Sequence, residues 1–189
     1  SKLYYNRPIS NIVFMGMGEP LLNYKNLLLG IEKITSNEGL GISPKRITVS
    51  TSGISKLIIK MADENVKFNL AISLHSAIEK TRNKIMPFSI NFPLDELKEA
   101  VKYWHKKTGK KVTYEYIVWK EINDNIEHIK ALIKFCKAAP SKVNIIQYNN
   151  TENPFFNAAN EKKIQEYISE LEKNKIPVTI RKSRGKDID

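Results

Sequence analysis

Gly16, Met17, Gly18, Glu19 and Pro20 follow directly on a β-branched run and form the sharpest chemical signal in the sequence. Glycine backbone beside an acid offers exposed peptide groups and one negative charge. A dinucleotide loop is excluded twice. The third glycine of that fingerprint would fall on Leu21, and Glu19 puts a carboxylate where a pyrophosphate must approach. The chemistry that fits is a ligand with a positive end, such as the ammonium of an amino acid. The competing reading is an ordinary turn with Pro20 leading into a helix.

Residues 48–53 (TVSTSG) end a second β-branched run in small hydroxyls. Such side chains bond nearby backbone at strand ends and caps, which accounts for Ser52. Ser50 is better placed for a ligand, for instance a ribose hydroxyl. Ser73, Leu74 and His75 end a third run. Residues two apart on a strand are spaced roughly 6.6 Å along it, too far for an easy Ser–His bond, so a serine hydrolase is excluded. No Gly-x-Ser-x-Gly elbow occurs either. A lone His at a strand end is often structural, but its companions make ligand contact the better reading, and Asn149 follows the fifth run in the same way. His105, His128 and Cys136 have no metal-ligand spacing, so no metal site is expected in this chain. Cys136 falls in an apolar helical stripe and reads as buried and inert.

Two basic groups stand out. Lys106, Lys107, Lys110 and Lys111 flank a helix end, where cations complement the helix dipole on a solvated face. Arg181, Lys182, Arg184 and Lys186 surround Ser183 and Gly185, and glycine there lets backbone approach a phosphate, so RNA contact is a reading for Arg181, Lys182 and Arg184.

The elements that must position these residues follow from periodicity. Strands are predicted at residues 11–15, 46–50, 69–73, 112–118, 143–147 and 178–181, several apolar at nearly every position, as in parallel strands covered on both faces. Helical spacing links Leu27, Ile31 and Ile34; Leu94, Leu97, Val101 and Trp104; Ile129, Leu132, Ile133 and Cys136; and Ile164, Tyr167, Ile168 and Leu171. Asp124 with Asn125, and Asn160 with Glu161, read as helix starts, while Gly109 and Asn174 read as helix ends. This alternation predicts a parallel α/β sheet. Polar residues at the C-terminal ends of several strands favour a barrel, where those ends share one rim.

Composition narrows the class. The 189 residues carry a net charge of +11 and one cysteine. A disulfide framework and any multi-cysteine zinc or iron–sulfur site made by this chain alone are excluded. The longest apolar runs are a few residues, so no bilayer-spanning segment and no membrane partner is expected. The N-terminus is no signal peptide, and the chain reads as soluble and cytoplasmic. The charge excess points to a polyanion, RNA or DNA first.

Taken in order, GMGEPLLNY (16–24), RITVSTSG (46–53), LAISLH (70–75), YEYIVWKEIND (114–124), VNIIQYN (143–149) and RKSRGKDID (181–189) resemble the RlmN family of radical S-adenosylmethionine (SAM) RNA methyltransferases over essentially the whole chain. The resemblance implies a partial, TIM-type (β/α) barrel of the radical SAM kind with SAM at its C-terminal rim. It also implies methylation of adenosine C2 in 23S rRNA and tRNA, a 4Fe-4S cluster in the full-length parent only, and an electron donor such as flavodoxin or ferredoxin. Carried over by motif, Gly18 and Glu19 match the loop that receives the methionine part of SAM. Ser50, Ser73, Leu74, His75 and Asn149 match the other SAM contacts, and residues 181–189 match the basic segment leading into a methyl-carrying cysteine loop.

The sequence departs from that family in lacking its CxxxCxxC motif, its methyl-carrier cysteine, its first barrel strand and its N-terminal helical domain. Residues 1–189 therefore read as one partial barrel domain of a longer enzyme, inactive by itself, with its basic charge expected on an RNA-facing rim. Gln147-Tyr148-Asn149-Asn150 also departs from the family's Pro-aromatic-Asn-Pro. The alternatives are a Cfr-like adenosine C8 methyltransferase, a non-catalytic RNA-binding α/β module, and a barrel enzyme for phosphorylated metabolites.

Overall fold

A computed structural model describes residues 8–148 and 155–181. Six strands, β1 (Ile12–Phe14), β2 (Ile47–Thr51), β3 (Asn69–Ser73), β4 (Val112–Ile117), β5 (Ser141–Ile146) and β6 (Val178–Arg181), pair in sequence order. Every neighbouring pair is parallel, and the sheet curls into a half-barrel. The predicted strands are all present, with β3 and β6 at their predicted bounds and β5 beginning two residues earlier.

Six α-helices lie on the convex side: α1 (Tyr24–Thr35), α2 (Ser55–Asp63), α3 (Glu79–Ile85), α4 (Leu94–Thr108), α5 (Ile126–Cys136) and α6 (Glu161–Lys173). Four carry the predicted apolar stripes, and α2 and α3 are additional. Asn125 caps α5, its side chain accepting from the His128 N–H at 3.1 Å, and Asn160 caps α6 from the Lys163 N–H at 2.9 Å. Gly109 closes α4 in a left-handed conformation, φ 67°, which a side chain would resist.

The central strands β2, β3 and β4 are buried on both faces, as the sequence predicts, whereas β1, β5 and β6 carry exposed positions. Ile47 and Val49, Leu70 and Ile72, Tyr114 and Tyr116, and Val143 and Ile145 are buried beneath the helices, among Met61, Leu97, Trp104, Leu132 and Tyr167. The alternate residues face the concave side, where they read Ser50, Ser73, Glu115, Asn144 and Thr179. Short polar residues between large apolar ones set a helix-packed face against the face that lines the interior of the half-barrel. Register places Ser73 beside Glu115, Glu115 beside Asn144 and Asn144 beside Thr179. Asn144 donates to the Glu115 carboxylate at 2.8 Å and accepts from the Thr179 hydroxyl at 3.0 Å.

Candidate functional site

Parallel strands deliver their C-terminal ends to one rim, and a cavity of about 500 Å³ opens there between β1, β2 and β3. Gly18, Glu19, Ser50, Ser73 and His75 all line it, so five residues chosen from three separate sequence motifs meet in one place. Its apolar wall comes from Met15, Met86 and Phe88, which the sequence did not single out. Phe88 belongs to a 3-10 turn, Pro87–Asn91, and its exposed ring gains a role only when that turn is brought over the strand ends.

Glu19 begins the rim. Gly18 turns the chain at φ 101°, a backbone region open to glycine, and Glu19 then caps the 3-10 turn Pro20–Asn23. One carboxylate oxygen accepts from the Leu21 N–H at 3.0 Å. The other accepts from both the N–H of Ser52, at 2.7 Å, and its hydroxyl, at 2.6 Å. Ser52 thus holds the acid in place, a different role from helix capping. Three bonds to a carboxylate with about four acceptor positions leave a fixed negative charge at the cavity with one position open.

The carbonyl of Ser52 accepts in turn from Arg82 Nη2 at 2.6 Å, while Arg82 Nη1 donates to the Phe92 carbonyl at 3.1 Å. Arg82 is fully buried on α3, and burial lowers its pKa. Gly53 leaves room for it, since a Cβ there would meet Arg82 Nη2 at 3.3 Å.

His75 adopts a left-handed backbone, φ 54°, uncommon for a side-chain-bearing residue. Asn123 holds it there. This fully buried amide donates to the His75 carbonyl at 2.7 Å and the Ile117 carbonyl at 2.9 Å, and accepts from the Trp119 N–H at 2.7 Å. The Tyr167 hydroxyl donates to the Asn123 carbonyl. The imidazole Nδ1 accepts from the Ile117 N–H at 3.2 Å, which assigns the ring proton to Nε2. Desolvation first, and the Arg82 cation second, push its pKa down to about 4. A neutral donor results, not a base.

Leu74 is the exception among the predicted contacts. Its side chain is buried away from the cavity, its N–H donates to the Glu115 carbonyl at 3.1 Å, and its carbonyl accepts from the Ser76 N–H at 2.6 Å. Strand alternation sends it to the face opposite Ser73. Asn149, Lys182 and Arg184 lie outside the described residues. Arg181 ends β6 at the rim, and its Nη1 lies 3.2 Å from the sulfur of Met15. Asn123 and Arg82 escaped sequence reasoning because neither touches the cavity and no local pattern marks them.

Among the described residues no three His, Cys, Asp or Glu side chains converge as metal ligands. Cys136 is buried in α5, and burial pushes its thiol up to about 12. The residues present therefore fit a small zwitterionic ligand with a cationic end, and they do not fit an iron–sulfur cluster, which needs several thiolates.

Comparisons with known proteins agree with this geometry. The family model described as Radical SAM superfamily matches residues 2–136. The protein named "Probable dual-specificity RNA methyltransferase RlmN" in Flavobacterium psychrophilum is 64% identical over 189 residues, which are 100% of this chain and 54% of that protein. Its namesake in Thermus thermophilus is 38% identical over 182 residues, 96% of this chain and 51% of that protein. The chain thus spans about half the length of the curated relatives it matches. Among solved structures, a radical SAM methyltransferase from Sphaerobacter thermophilus superposes with a TM-score of 0.92 at 34% identity, over 97% of this chain and 54% of that one. A domain of pyruvate-formate lyase-activating enzyme from Bacteroides vulgatus, at 17% identity and a TM-score of 0.68 over 92% of this chain and 99% of that one, shares the fold.

Proposed function

The chain belongs to the Radical SAM superfamily, and from that premise we propose that its rim cavity is the SAM site of an RNA methyltransferase acting on adenosine C2 in 23S rRNA and tRNA. The observation that carries this reading is the convergence of Gly18, Glu19, Ser50, Ser73 and His75 on one cavity, in a chain 64% identical along its whole length to a protein named RlmN.

In this reading the fixed carboxylate of Glu19 takes the ligand's ammonium, and the exposed Gly16–Gly18 backbone lies alongside. Ser50 and Ser73 offer hydroxyls to the ribose from neighbouring strands, and among the described residues neither hydroxyl has another partner. The His75 Nε2–H donates to an acceptor on the ligand. Met15, Met86 and Phe88 exclude water beside the adenine and the methyl-bearing sulfur. SAM, when bound, supplies the methyl group and, on one-electron reduction, the radical. Asn149, Lys182 and Arg184 keep their proposed ligand and RNA roles, and Arg181 adds a rim cation for phosphate.

Cluster cysteines and a methyl-carrier cysteine come from outside this stretch, which acts as one partial-barrel domain of a cytoplasmic enzyme served by an external electron donor such as flavodoxin or ferredoxin. Calorimetric titration of the 189-residue chain tests the core of the reading. SAM is expected to bind with 1:1 stoichiometry, and Glu19→Gln is expected to weaken it at least tenfold. Absence of SAM binding by the folded chain overturns the assignment of the cavity.

A further inference from the structure

The charge of +11 is not spread evenly over the half-barrel. Five loops carry the chain from a helix into β2, β3, β4, β5 and β6, and they share the face opposite the cavity. Residues 36–46 bring Lys45 and Arg46 there, residues 64–68 bring Lys67, and residues 109–111 bring Lys110 and Lys111. Lys137 and Lys175 complete seven cations, against two acids, Glu38 and Glu64. Glu64 is engaged by Tyr24 and Lys60. The rim loops show the reverse: among the described residues they hold Lys120 against Glu19, Glu121 and Asp124. The sequence expectation of a basic rim therefore fails for the described loops, with Arg181 at the end of β6 as the rim's other cation.

Three further observations concern the opposite face. Lys110 Nζ donates to the Val66 and Phe68 carbonyls, at 2.8 and 2.9 Å, tying the loop before β4 to the loop before β3. Desolvation, then the cations of Lys67 and Lys45, push its pKa down to about 8, so positive charges from three adjacent loops act on one another without a carboxylate to offset them. Between the entries to β4, β5 and β6 a cavity of about 400 Å³ is lined by Lys111, Lys137 and Lys175. The helices end on this face, so their dipoles favour cations there, and the last-turn cations Lys106, Lys107, Lys134 and Lys173 add to the seven in the loops.

Parallel strands about 4.8 Å apart set these loops side by side, so their cations form an arc and not isolated points. A repeating row of cations fits a repeating row of phosphates. We propose that the strand-entry face is a second RNA-binding surface, holding phosphate backbone of the same folded RNA whose target base enters the opposite rim. This rests on the reading of the substrate as RNA. Strands of up to 6 residues separate the faces by roughly 20 Å, less than the length of the roughly 16 base pairs of RNA that a single double-strand-binding module spans, so one folded RNA reaches both.

The experiment compares the wild-type chain with two fourfold variants. One carries Lys45→Gln, Lys67→Gln, Lys111→Gln and Lys175→Gln on the entry face. The other carries Lys25→Gln, Lys56→Gln, Lys80→Gln and Lys130→Gln, all exposed on helix backs. Binding of a fluorescent stem–loop RNA is followed between 50 and 300 mM KCl, and SAM binding on the same samples. The entry-face variant is expected to lose at least tenfold in RNA affinity at 100 mM salt, with a salt slope shallower by about 3 and unchanged SAM affinity. The control variant is expected to lose less than threefold. Equal losses in both variants, or wild-type RNA binding by the entry-face variant, overturn the proposal while SAM binding leaves the cavity assignment intact. A wild-type chain that binds neither RNA nor SAM overturns both.

Discussion

Glu19 and Ser52 are joined by two hydrogen bonds to a single carboxylate oxygen, from the Ser52 N–H at 2.7 Å and its hydroxyl at 2.6 Å. The bonds span 33 residues of sequence and fasten the loop after β1 to the end of β2. Ser52→Ala removes one charge-assisted bond and keeps the backbone one. The expected cost is about 1.5–3 kcal/mol of stability, read by urea denaturation. SAM affinity is expected to fall threefold to tenfold as the acid gains freedom, and an unchanged affinity would show that its orientation does not matter.

Arg82 joins the same chain of contacts from below. Arg82→Met leaves the Ser52 and Phe92 carbonyls unpaired, and a loss of about 3 kcal/mol or more is expected. Arg82→Lys is not a conservative rescue, because one ammonium lacks the planar fork that spans both carbonyls. The cation also depresses the His75 pKa. In Arg82→Met, therefore, the His75 titration followed by NMR is expected to move upward.

His75, pushed down to about 4, makes stability depend on pH. The unfolded chain takes up its imidazole proton near pH 6.5 and the folded chain only near 4, so between these values the unfolded state binds more protons. Stability is expected to be fully present above pH 6.5 and to fall as pH drops toward 4. His128, also lowered, first by burial, acts in the same direction. Denaturation midpoints at pH 7 and pH 5 check the sign, and a higher midpoint at pH 5 contradicts it.

Asn123 positions His75 without touching the cavity. Asn123→Ala leaves two buried carbonyls and one N–H unpaired, at a cost of roughly 3 kcal/mol or more, visible as a drop in Tm of several degrees. The milder Asn123→Asp keeps the acceptor for the Trp119 N–H and loses the donors to His75 and Ile117. Nitrogen NMR of the imidazole is the discriminating readout. The wild type is expected to show protonated Nε2, and Asn123→Asp a mixture of tautomers.

Cys136 provides a probe of global opening. Its buried thiol, pushed up to about 12, is expected to resist alkylation in the folded chain at pH 8 and to react only through unfolding. Alkylation at the rate of a free thiol under native conditions would contradict the packing of α5.

Much of the fold was legible because its signals are local. Val, Ile and Thr runs, apolar stripes at helical spacing, and capping residues such as Asn125 and Asn160 act within a turn or a strand, so their order predicts parallel βα units. The rim residues were legible for a related reason: a parallel sheet delivers every strand end to the same side, whatever the exact curl. Helix α3 was not, since its stretch EKTRNKI has no apolar stripe and is held by the burial of Arg82.

By itself, then, the sequence determined the strand order, the chemical types at the rim and the family they resemble. Tertiary structure decided which face of each strand meets the helices, through the pleat that sends Tyr114 under the helices and Glu115 into the half-barrel. It decided that Ser52 clasps Glu19 and that Asn123 holds the backbone of His75, because those contacts bridge 33 and 48 residues and leave no periodic trace. It also moved the described basic loops to the face opposite the cavity. Net charge is a sum over the chain, and only the parallel arrangement of helices and strands assigns that sum to a side.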